Sequence, residues 1–310
     1  MLKLHTSAPA NPQTIANDDR PLKIAVLSYR STPHVGGQGV YVDYLTRALV
    51  EAGHQVDVLS GPPYPELDPR VNLIKIPSLD LYAQPHNGNL ALRWKHLLSP
   101  TDTYEYFAHL SGKFIEPYTF GQRIFSYFKK KRPQYDVVLD NQTLTTGVLK
   151  LKTKLNIPLV TTIHHPITAD RRLELEAEKS WKLRLLIRRW YAFHHMQIRV
   201  ARQLPTIICP SSVVKHHIAD EFGLKPDQIT PIRLGVDQSY FKPSPDIARV
   251  SNRLLTTASA DVPLKGLVHL VHAYKALLDE HPDLELRVIG KLREGPTYDL
   301  IQSLGLRDKI

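Results

Sequence analysis

The sequence predicts an α/β protein in which a doubly wound parallel sheet is followed by part of a second unit of the same kind. Short β-rich runs alternate with runs that have the apolar periodicity of amphipathic helices. A glycine-rich loop joins the first predicted strand to the first predicted helix. The chain has 310 residues, 42% of them hydrophobic and 23% charged, which is a globular balance and long enough for two domains.

The first predicted strand covers residues 22–28 and is followed by a helix. Val42, Leu45 and Leu49 recur at helical spacing, and this helix is expected to end near Gly53. Helices are also predicted over 120–130 and, as one long element, over about 172–203, whereas 80–118 supports no assignment. Further strands of the first unit are predicted at 55–59, 71–76, 136–139, 158–163, 207–209 and 229–233.

Four segments follow from this pattern. Residues 1–20 are predicted to be a flexible tail without a secretory signal, and 21–241 the N-terminal domain. Residues 242–252 are predicted to be a linker, and 253–310 a second domain with strands at 253–257 and 284–289. Because so few strands cannot form a covered parallel sheet, we expect the second domain to be incomplete in this sequence.

Net charge and cysteine content indicate the kind of partner and the cellular location to expect. The formal net charge of +10 favours anionic partners without choosing among them. The single cysteine, Cys209, is predicted to be a small buried core residue, and the absence of disulfide pairs fits a reducing, cytoplasmic location. No apolar run is long enough to predict a membrane span.

The glycine loop covers residues 35–39 and contains Gly36, Gly37 and Gly39. Backbone amides at a helix N-terminus attract phosphate, so Gly36 and Gly37 are candidates for contact with a diphosphate or sugar; the alternative is that they only allow a tight turn. The spacing differs from the dinucleotide fingerprint, and no acidic residue ends the second strand. These features argue against a nicotinamide enzyme.

Four blocks, in order, together resemble glycosyltransferase family 4. They are residues 34–60 (HVGGQGVYVDYLTRALVEAGHQVDVLS), 160–166 (VTTIHHP), the segment from Cys209 to Phe241, and the segment from Pro263 to Gly290 that begins PLKG. The resemblance implies a GT-B fold, with two facing Rossmann-like domains and a cleft between them. It also implies retaining transfer of a hexose from a UDP- or GDP-sugar to a hydroxyl acceptor, in glycolipid, polysaccharide or other glycoconjugate synthesis.

The resemblance also assigns candidate site residues. His164 matches a histidine near the transferred sugar and is the candidate catalytic residue, and Lys265 matches a lysine on the donor diphosphate. Three more residues, His165, Asn141 and Gly290, are candidates for the cleft. The family needs no metal, so we expect no metal and no cofactor besides the nucleotide-sugar co-substrate.

Two departures from the family pattern leave a second interpretation open. Ala260 stands where the family usually has an arginine, and the family's Glu-x7-Glu donor element would follow Ile310. We therefore expect this chain alone to bind UDP- or GDP-sugars poorly and to be a poorly active fragment. The alternative is a non-catalytic binding module that retains the acceptor-side fold.

A basic, aromatic stretch over residues 181–202 and the cluster 129–132 point to one further partner. An amphipathic basic helix can lie on an anionic membrane surface, which would suit a lipid-linked acceptor and a peripheral position on the inner membrane face. The alternative is a helix that packs its apolar side on its own sheet. No nucleic-acid-binding module accompanies the charge, so no nucleic acid is expected.

Overall fold

A computed structural model describes residues 20–33, 37–88, 90–257, 266–290 and 294–310. These residues form two compact units. The first contains the chain up to Tyr106 together with Glu116–Thr162, and the second contains Phe107–Ile115 together with Ile163–Ile310. Each unit has paired parallel strands and a buried apolar core of its own.

The first unit contains five parallel strands. They are β1 (Lys23–Ser28), β2 (Gln55–Ser60), β3 (Asn72–Lys75), β4 (Val137–Asn141) and β5 (Leu159–Thr162). Their order is β3-β2-β1-β4-β5, and every neighbouring pair is parallel. Because the order reverses between β1 and β4, right-handed crossovers place helices on opposite faces of the sheet. The predicted doubly wound sheet is confirmed.

Four helices accompany these strands. They are α1 (Gly37–Glu51), α2 (Pro100–Leu110), α3 (Glu116–Lys131) and α4 (Thr146–Leu155). Short 3-10 turns, Pro85–Gly88 and Trp94–Leu98, lie in the stretch that the sequence left unassigned. Pro100 and Pro117 each stand in the first turn of a helix, where a missing N–H costs nothing.

The core of the first unit joins β1, β2 and α1. Alternate residues of a strand face one side of a sheet, so each strand contributes two buried residues to the same cluster. Its members are Ile24, Val26, Val42, Val56, Val58 and Val71. Val42 is one of the three residues whose spacing predicted α1, so the helical pattern in the sequence does mark the buried face.

Helices α3 and α4 approach each other at two glycines. A Cβ at Gly147 would collide with the backbone carbonyl of Gly121, and a Cβ at Gly121 would collide with Thr145. Thr145 cannot move freely, because its hydroxyl caps α4 by accepting the Val148 N–H at 3.3 Å. The close approach therefore depends on both glycines.

The second unit has two separate parallel strand pairs. Strand β6 (Ile207–Cys209) pairs with β7 (Ile229–Pro231), and β8 (Arg253–Thr257) pairs with β9 (Glu285–Ile289). Its helices are α5 (Thr168–Ala177), α6 (Trp181–Trp190), α7 (His194–Ala201), α8 (Ser212–Phe222), α9 (Leu267–Leu277) and α10 (Pro296–Ser303). Cys209 is fully buried, as predicted.

The single long helix predicted over 172–203 is wrong, because the chain breaks it twice. Glu178 and Ser180 adopt extended backbone between α5 and α6, and the Glu178 carboxylate accepts the Ser180 N–H at 2.7 Å. A 3-10 turn, Tyr191–Phe193, then separates α6 from α7. There the Tyr191 ring stacks on His194, with ring centroids 5.2 Å apart. Local side-chain contacts therefore override the continuous helical periodicity.

The C-terminal part of the second unit packs around Tyr274. The Tyr274 hydroxyl donates to the Leu284 carbonyl at 2.8 Å and lies 3.0 Å from the Lys309 carbonyl oxygen. Its ring joins a buried cluster that also contains Val271, Leu286, Ile301 and Leu306. Residues 242–252, predicted to be a linker, contain no helix or strand. Within the described ranges, no helix is long and apolar enough to cross a bilayer.

The close approach of α3 and α4 predicts the effect of a conservative substitution. Gly147→Ala should destabilise the protein by about 1–3 kcal/mol, although alanine favours a helix, because its methyl group would meet the Gly121 backbone. Gly235→Ala is the matched control, since no neighbouring atom lies within 4 Å of a Cβ there. Urea unfolding measures both variants, and an unchanged midpoint for Gly147→Ala would contradict the packing argument.

Candidate functional site

The strand order creates a crevice at the carboxyl ends of β1 and β4. Crossovers leave these two neighbouring strands in opposite directions, and open α/β sheets bind ligands at such a point. Ser28 ends β1 and Asn141 ends β4, and both side chains are fully buried. Buried polar groups at this edge make it the strongest candidate site in the first unit.

The Ser28 hydroxyl organises this edge. It donates to the Arg30 carbonyl at 3.1 Å and accepts from the Ser31 hydroxyl at 2.7 Å. The Asn141 amide nitrogen lies 3.5 Å from the same oxygen. Ser31 is held in turn by its own N–H, which donates to the Pro63 carbonyl at 3.0 Å. The loop after β1 is therefore fixed to the end of β4 by side-chain hydrogen bonds.

The first turn of α1 lies directly on this loop. A Cβ at Gly39 would collide with the Thr32 carbonyl, so only glycine allows the helix to come so close. Gly37 begins the helix, is exposed, and has no atom of the described residues within 4 Å of a Cβ position. The first residue of α1 is thus exposed and carries no side chain. The structure brings Gly37 and Asn141 to the same edge.

A tyrosine of α1 connects the helix to the end of β5. The Tyr41 side chain hydrogen-bonds to Thr162, the last residue of β5, and burial raises the pKa of its hydroxyl. The phenol is therefore neutral at physiological pH. Three consecutive strand ends, those of β1, β4 and β5, are joined to one another or to α1 at this edge.

Asp140 shapes the turn that leaves β4. Its carboxylate accepts the backbone N–H groups of Leu144 at 2.9 Å and Thr143 at 3.3 Å. Gln142 and Leu144 have φ of 54° and 52°, a left-handed conformation that costs a non-glycine residue about 1–3 kcal/mol. Burial raises the pKa of Asp140 to about 6. A strained turn held by a buried carboxylate therefore fixes the position of Asn141.

A partly buried ion pair, Arg30 and Glu116, involves the loop after β1. Arg30 lies 3.4 Å from a carboxylate oxygen of Glu116, and its guanidinium carbon lies 5.6 Å from the centroid of the Tyr82 ring. Burial raises the pKa of Glu116 to about 7, and the nearby Arg30 charge only partly opposes this shift. Glu116 was missed from the sequence because it lies in the unassigned stretch. In the sequence, Glu116 is marked only by Pro117, because a proline is common in the first turn of a helix.

His164 and His165 belong to the second unit and differ in their surroundings. His164 is half-buried, and burial, followed by the adjacent His165, lowers its pKa to about 4. Its imidazole is therefore neutral at pH 7. His165 is exposed, and its Nε2 lies 3.3 Å from a carboxylate oxygen of Asp170. Along the chain, His164 follows Thr162 by two residues.

Three positions singled out in the sequence lie outside the described residues: Gly36, Ala260 and Lys265. Gly290 is described: it is exposed and directly follows β9 in the second unit. Among the residues that the structure covers, no three His, Cys, Asp or Glu side chains are grouped so that they could hold a metal ion.

Comparison with known proteins identifies the family. Residues 35–240 match Glycosyltransferase Family 4. The chain is also 47% identical, over 291 residues, to the MMP alpha-(1->4)-mannosyltransferase of Mycolicibacterium hassiacum; the match covers 93% of this chain and 69% of that protein. The chain therefore belongs to glycosyltransferase family 4, and it is a transferase enzyme.

Solved structures agree with the fold. WaaG, a glycosyltransferase involved in lipopolysaccharide biosynthesis, superposes with a TM-score of 0.57 at 15% identity, over 92% of this chain and 68% of that one. The catalytic domain of starch synthase IV from Arabidopsis thaliana gives a TM-score of 0.52 at 12% identity, over 94% of this chain and 73% of that one. The fold class is that of GT-B glycosyltransferases, as the resemblance implied.

The pKa of Glu116 predicts a pH-dependent stability. Its folded pKa of about 7 exceeds the ordinary value of 4.5, so it should lower the free energy of unfolding progressively as pH rises from 4.5 to 7. Glu116→Gln removes this penalty. The variant should gain stability over the natural protein through that window, by up to roughly 2–3 kcal/mol above pH 7.

Urea unfolding at several pH values tests this difference. Glu176→Gln is the matched control, because Glu176 is an exposed helical carboxylate. Its difference from the natural protein should stay near zero at every pH. A Glu116→Gln difference that does not change between pH 4.5 and 7 would refute the assignment.

Proposed function

We propose that this glycosyltransferase moves mannose from a nucleotide-diphosphate donor, GDP- or UDP-linked, to a hydroxyl acceptor, with retention of the anomeric configuration. The observation that carries the proposal is the 47% identity with an alpha-(1->4)-mannosyltransferase over 93% of the chain. The linkage in that name indicates an acceptor sugar with a free 4-hydroxyl. Synthesis of a polysaccharide or other glycoconjugate is consistent with such an acceptor.

The acceptor is proposed to bind at the carboxyl edge of the first unit. Ser28, Asn141 and Thr162 supply polar groups at this edge, and the Asp140 turn holds one of them in a fixed position. A preorganised polar crevice orients a sugar hydroxyl at low entropic cost. We propose that residues 21–241 form this acceptor-side domain and that 253–310 belong to the donor-side domain.

His164 is proposed to orient the reacting sugars. A neutral imidazole can accept or donate one hydrogen bond to a sugar hydroxyl without adding a charge, and the lowered pKa keeps it neutral at pH 7. In the transfer, the bond from the anomeric carbon to the diphosphate breaks while the acceptor oxygen bonds to the same face. The acceptor proton passes to the departing phosphate oxygen.

The departing diphosphate needs compensation for its growing negative charge. The amide of Gly37 at the start of α1, the amide of Gly36 and the Lys265 ammonium are proposed to supply it. The open helix start at Gly37 supports this role, whereas the roles of Gly36 and Lys265 rest on the family resemblance. We propose that these groups replace a metal ion, so transfer should survive chelation.

The assay uses the product of the whole reading frame that encodes this sequence, with GDP-mannose or UDP-glucose as donor and a mannoside as acceptor, in the presence of EDTA. We expect mannosyl transfer, and an α-linked product by NMR because the donor is α-linked. A β-linked product would contradict retention, and transfer of glucose but not mannose would contradict the donor assignment.

Paired histidine variants test the site. His164→Asn should lower kcat by about 10–100-fold with a smaller change in KM, because a positioning hydrogen bond at the reacting sugars is lost. His165→Asn is the matched control and should stay within about 2-fold of the natural enzyme, since His165 is exposed and pairs with Asp170. Equal decreases of kcat in the two variants would contradict a specific role of His164 in positioning the sugars.

We also propose that α6 lies on an anionic membrane surface. The exposure of four apolar side chains of this helix supports the proposal over packing of its apolar side on its own sheet: Trp181 71%, Leu183 47%, Leu185 58% and Leu186 48%. Lys182, Arg188 and Arg189 are exposed on the same helix. Apolar groups with flanking cations suit the boundary between lipid headgroups and acyl chains.

Vesicle flotation tests this surface. The protein should bind vesicles that contain phosphatidylglycerol and not pure phosphatidylcholine vesicles. Trp181→Ala/Leu185→Ala should weaken binding about tenfold or more, because each buried side chain contributes about 1.5–3 kcal/mol. Val213→Ala, which removes a 64% exposed side chain from α8, should have no effect. Equal binding by all variants would rule out α6.

A further inference from the structure

A cleft of about 680 Å³ lies in the first unit, at a different place from the β1–β4 crevice. The loop after β3, the Trp94–Leu98 turn with the start of α2, and the last turns of α3 form its walls. We name it the cationic cleft for the charged side chains that line it, which are Lys75, Lys95, Asp102, Arg123, Lys130 and Lys131.

The charges of the cationic cleft are poorly balanced. The Arg123 guanidinium is neutralised, since its two terminal nitrogens lie 2.5 Å from carboxylate oxygens of Asp102 and Glu105. Asp102 is also the single carboxylate among the lining residues. None of the ion pairs formed by the described residues includes a lysine of this cleft. Four ammonium groups therefore surround the space, and a bound anion would relieve their mutual repulsion.

Neutral donors complete the walls of the cleft. His96 lines it, and its Nδ1 accepts the Arg93 N–H at 3.1 Å. A neutral imidazole in that state carries its proton on Nε2, so Nε2 is a donor. Hydroxyl groups line the same space, on Ser78, Ser99, Thr101, Ser126 and Tyr127. The cleft thus offers hydrogen-bond donors of three kinds, namely ammonium, imidazole and hydroxyl groups.

We propose that the cationic cleft binds a phosphoryl group. A phosphate carries up to two negative charges and has acceptor oxygens in several directions, which suits several lysines and hydroxyls placed around one space. The transfer reaction proposed above makes no use of these residues. The phosphoryl group could be carried by a soluble sugar phosphate or by a phospholipid headgroup, since both present the same chemistry.

Calorimetric titration with inorganic phosphate tests the proposal on the natural chain. Lys130→Gln/Lys131→Gln should weaken phosphate binding roughly tenfold, because two of the four lysine ammonium groups that line the cleft are lost. Lys129→Gln is the matched control: it removes one charge from the same turn of α3, but Lys129 does not line the cleft. All three lysines are exposed, so the variants should fold.

The expected result is phosphate binding that the double variant weakens and the control retains. Absence of phosphate binding, or equal weakening by Lys129→Gln, would overturn the proposal. Binding is measured without donor or acceptor, so the result stands whether or not mannosyl transfer is found.

Two further titrations identify the carrier of the phosphoryl group. One uses mannose 6-phosphate, and the other uses phosphatidylcholine vesicles with and without phosphatidic acid. Tighter binding of one probe, weakened by the Lys130→Gln/Lys131→Gln substitution, supports the site and identifies the molecule that carries the phosphoryl group. If inorganic phosphate and both of these probes bind equally well to the natural chain and to the double variant, the cleft is not a phosphoryl site.

Discussion

The convergence of three polar groups on the Ser28 hydroxyl is the interaction on which the candidate site depends. Ser28 ends the strand beside which the order of the sheet reverses, and it ties the loop after β1 to Asn141 at the end of β4. The same loop receives the first turn of α1 through the Thr32 carbonyl. The buried polar edge of the sheet and the position of the first turn of α1 are therefore consequences of one local arrangement.

Burial also shifts the pKa of ionisable groups in both units. In the first unit it raises the pKa of Asp140 to about 6 and that of Glu116 to about 7, and in the second unit it lowers the pKa of His164 to about 4. All three shifts favour the neutral form, because desolvation penalises charge.

The sequence predicted the strands well because each is a short buried apolar run bounded by turn residues. The cap of α8 is equally local, since Ser211 accepts the Val214 N–H at 3.2 Å. Prediction failed where tertiary contacts decide the outcome. The break between α5 and α6 depends on the Glu178 carboxylate, which accepts the backbone N–H of Ser180. The spacing of apolar residues in the sequence does not predict this contact.

The candidate site shows the same division. The family resemblance singled out Asn141 and His164, and His164 also follows a predicted strand, where ligands bind in α/β sheets. Asp140 follows a predicted strand too, but its role arises from burial and from the Thr143 and Leu144 N–H groups that it accepts, and the role of Glu116 arises from burial beside Arg30. Neither environment can be read from the sequence pattern. The cationic cleft likewise joins lysines more than fifty positions apart in sequence, Lys75 and Lys130.

The most direct test is the backbone NMR spectrum of the protein on addition of GDP-mannose together with a mannoside acceptor. We expect the largest chemical-shift changes on residues 28–32, 37–41 and 140–145, which form the edge organised by the Ser28 hydroxyl. Shifts confined to other parts of the chain, with these three segments unchanged, would contradict it.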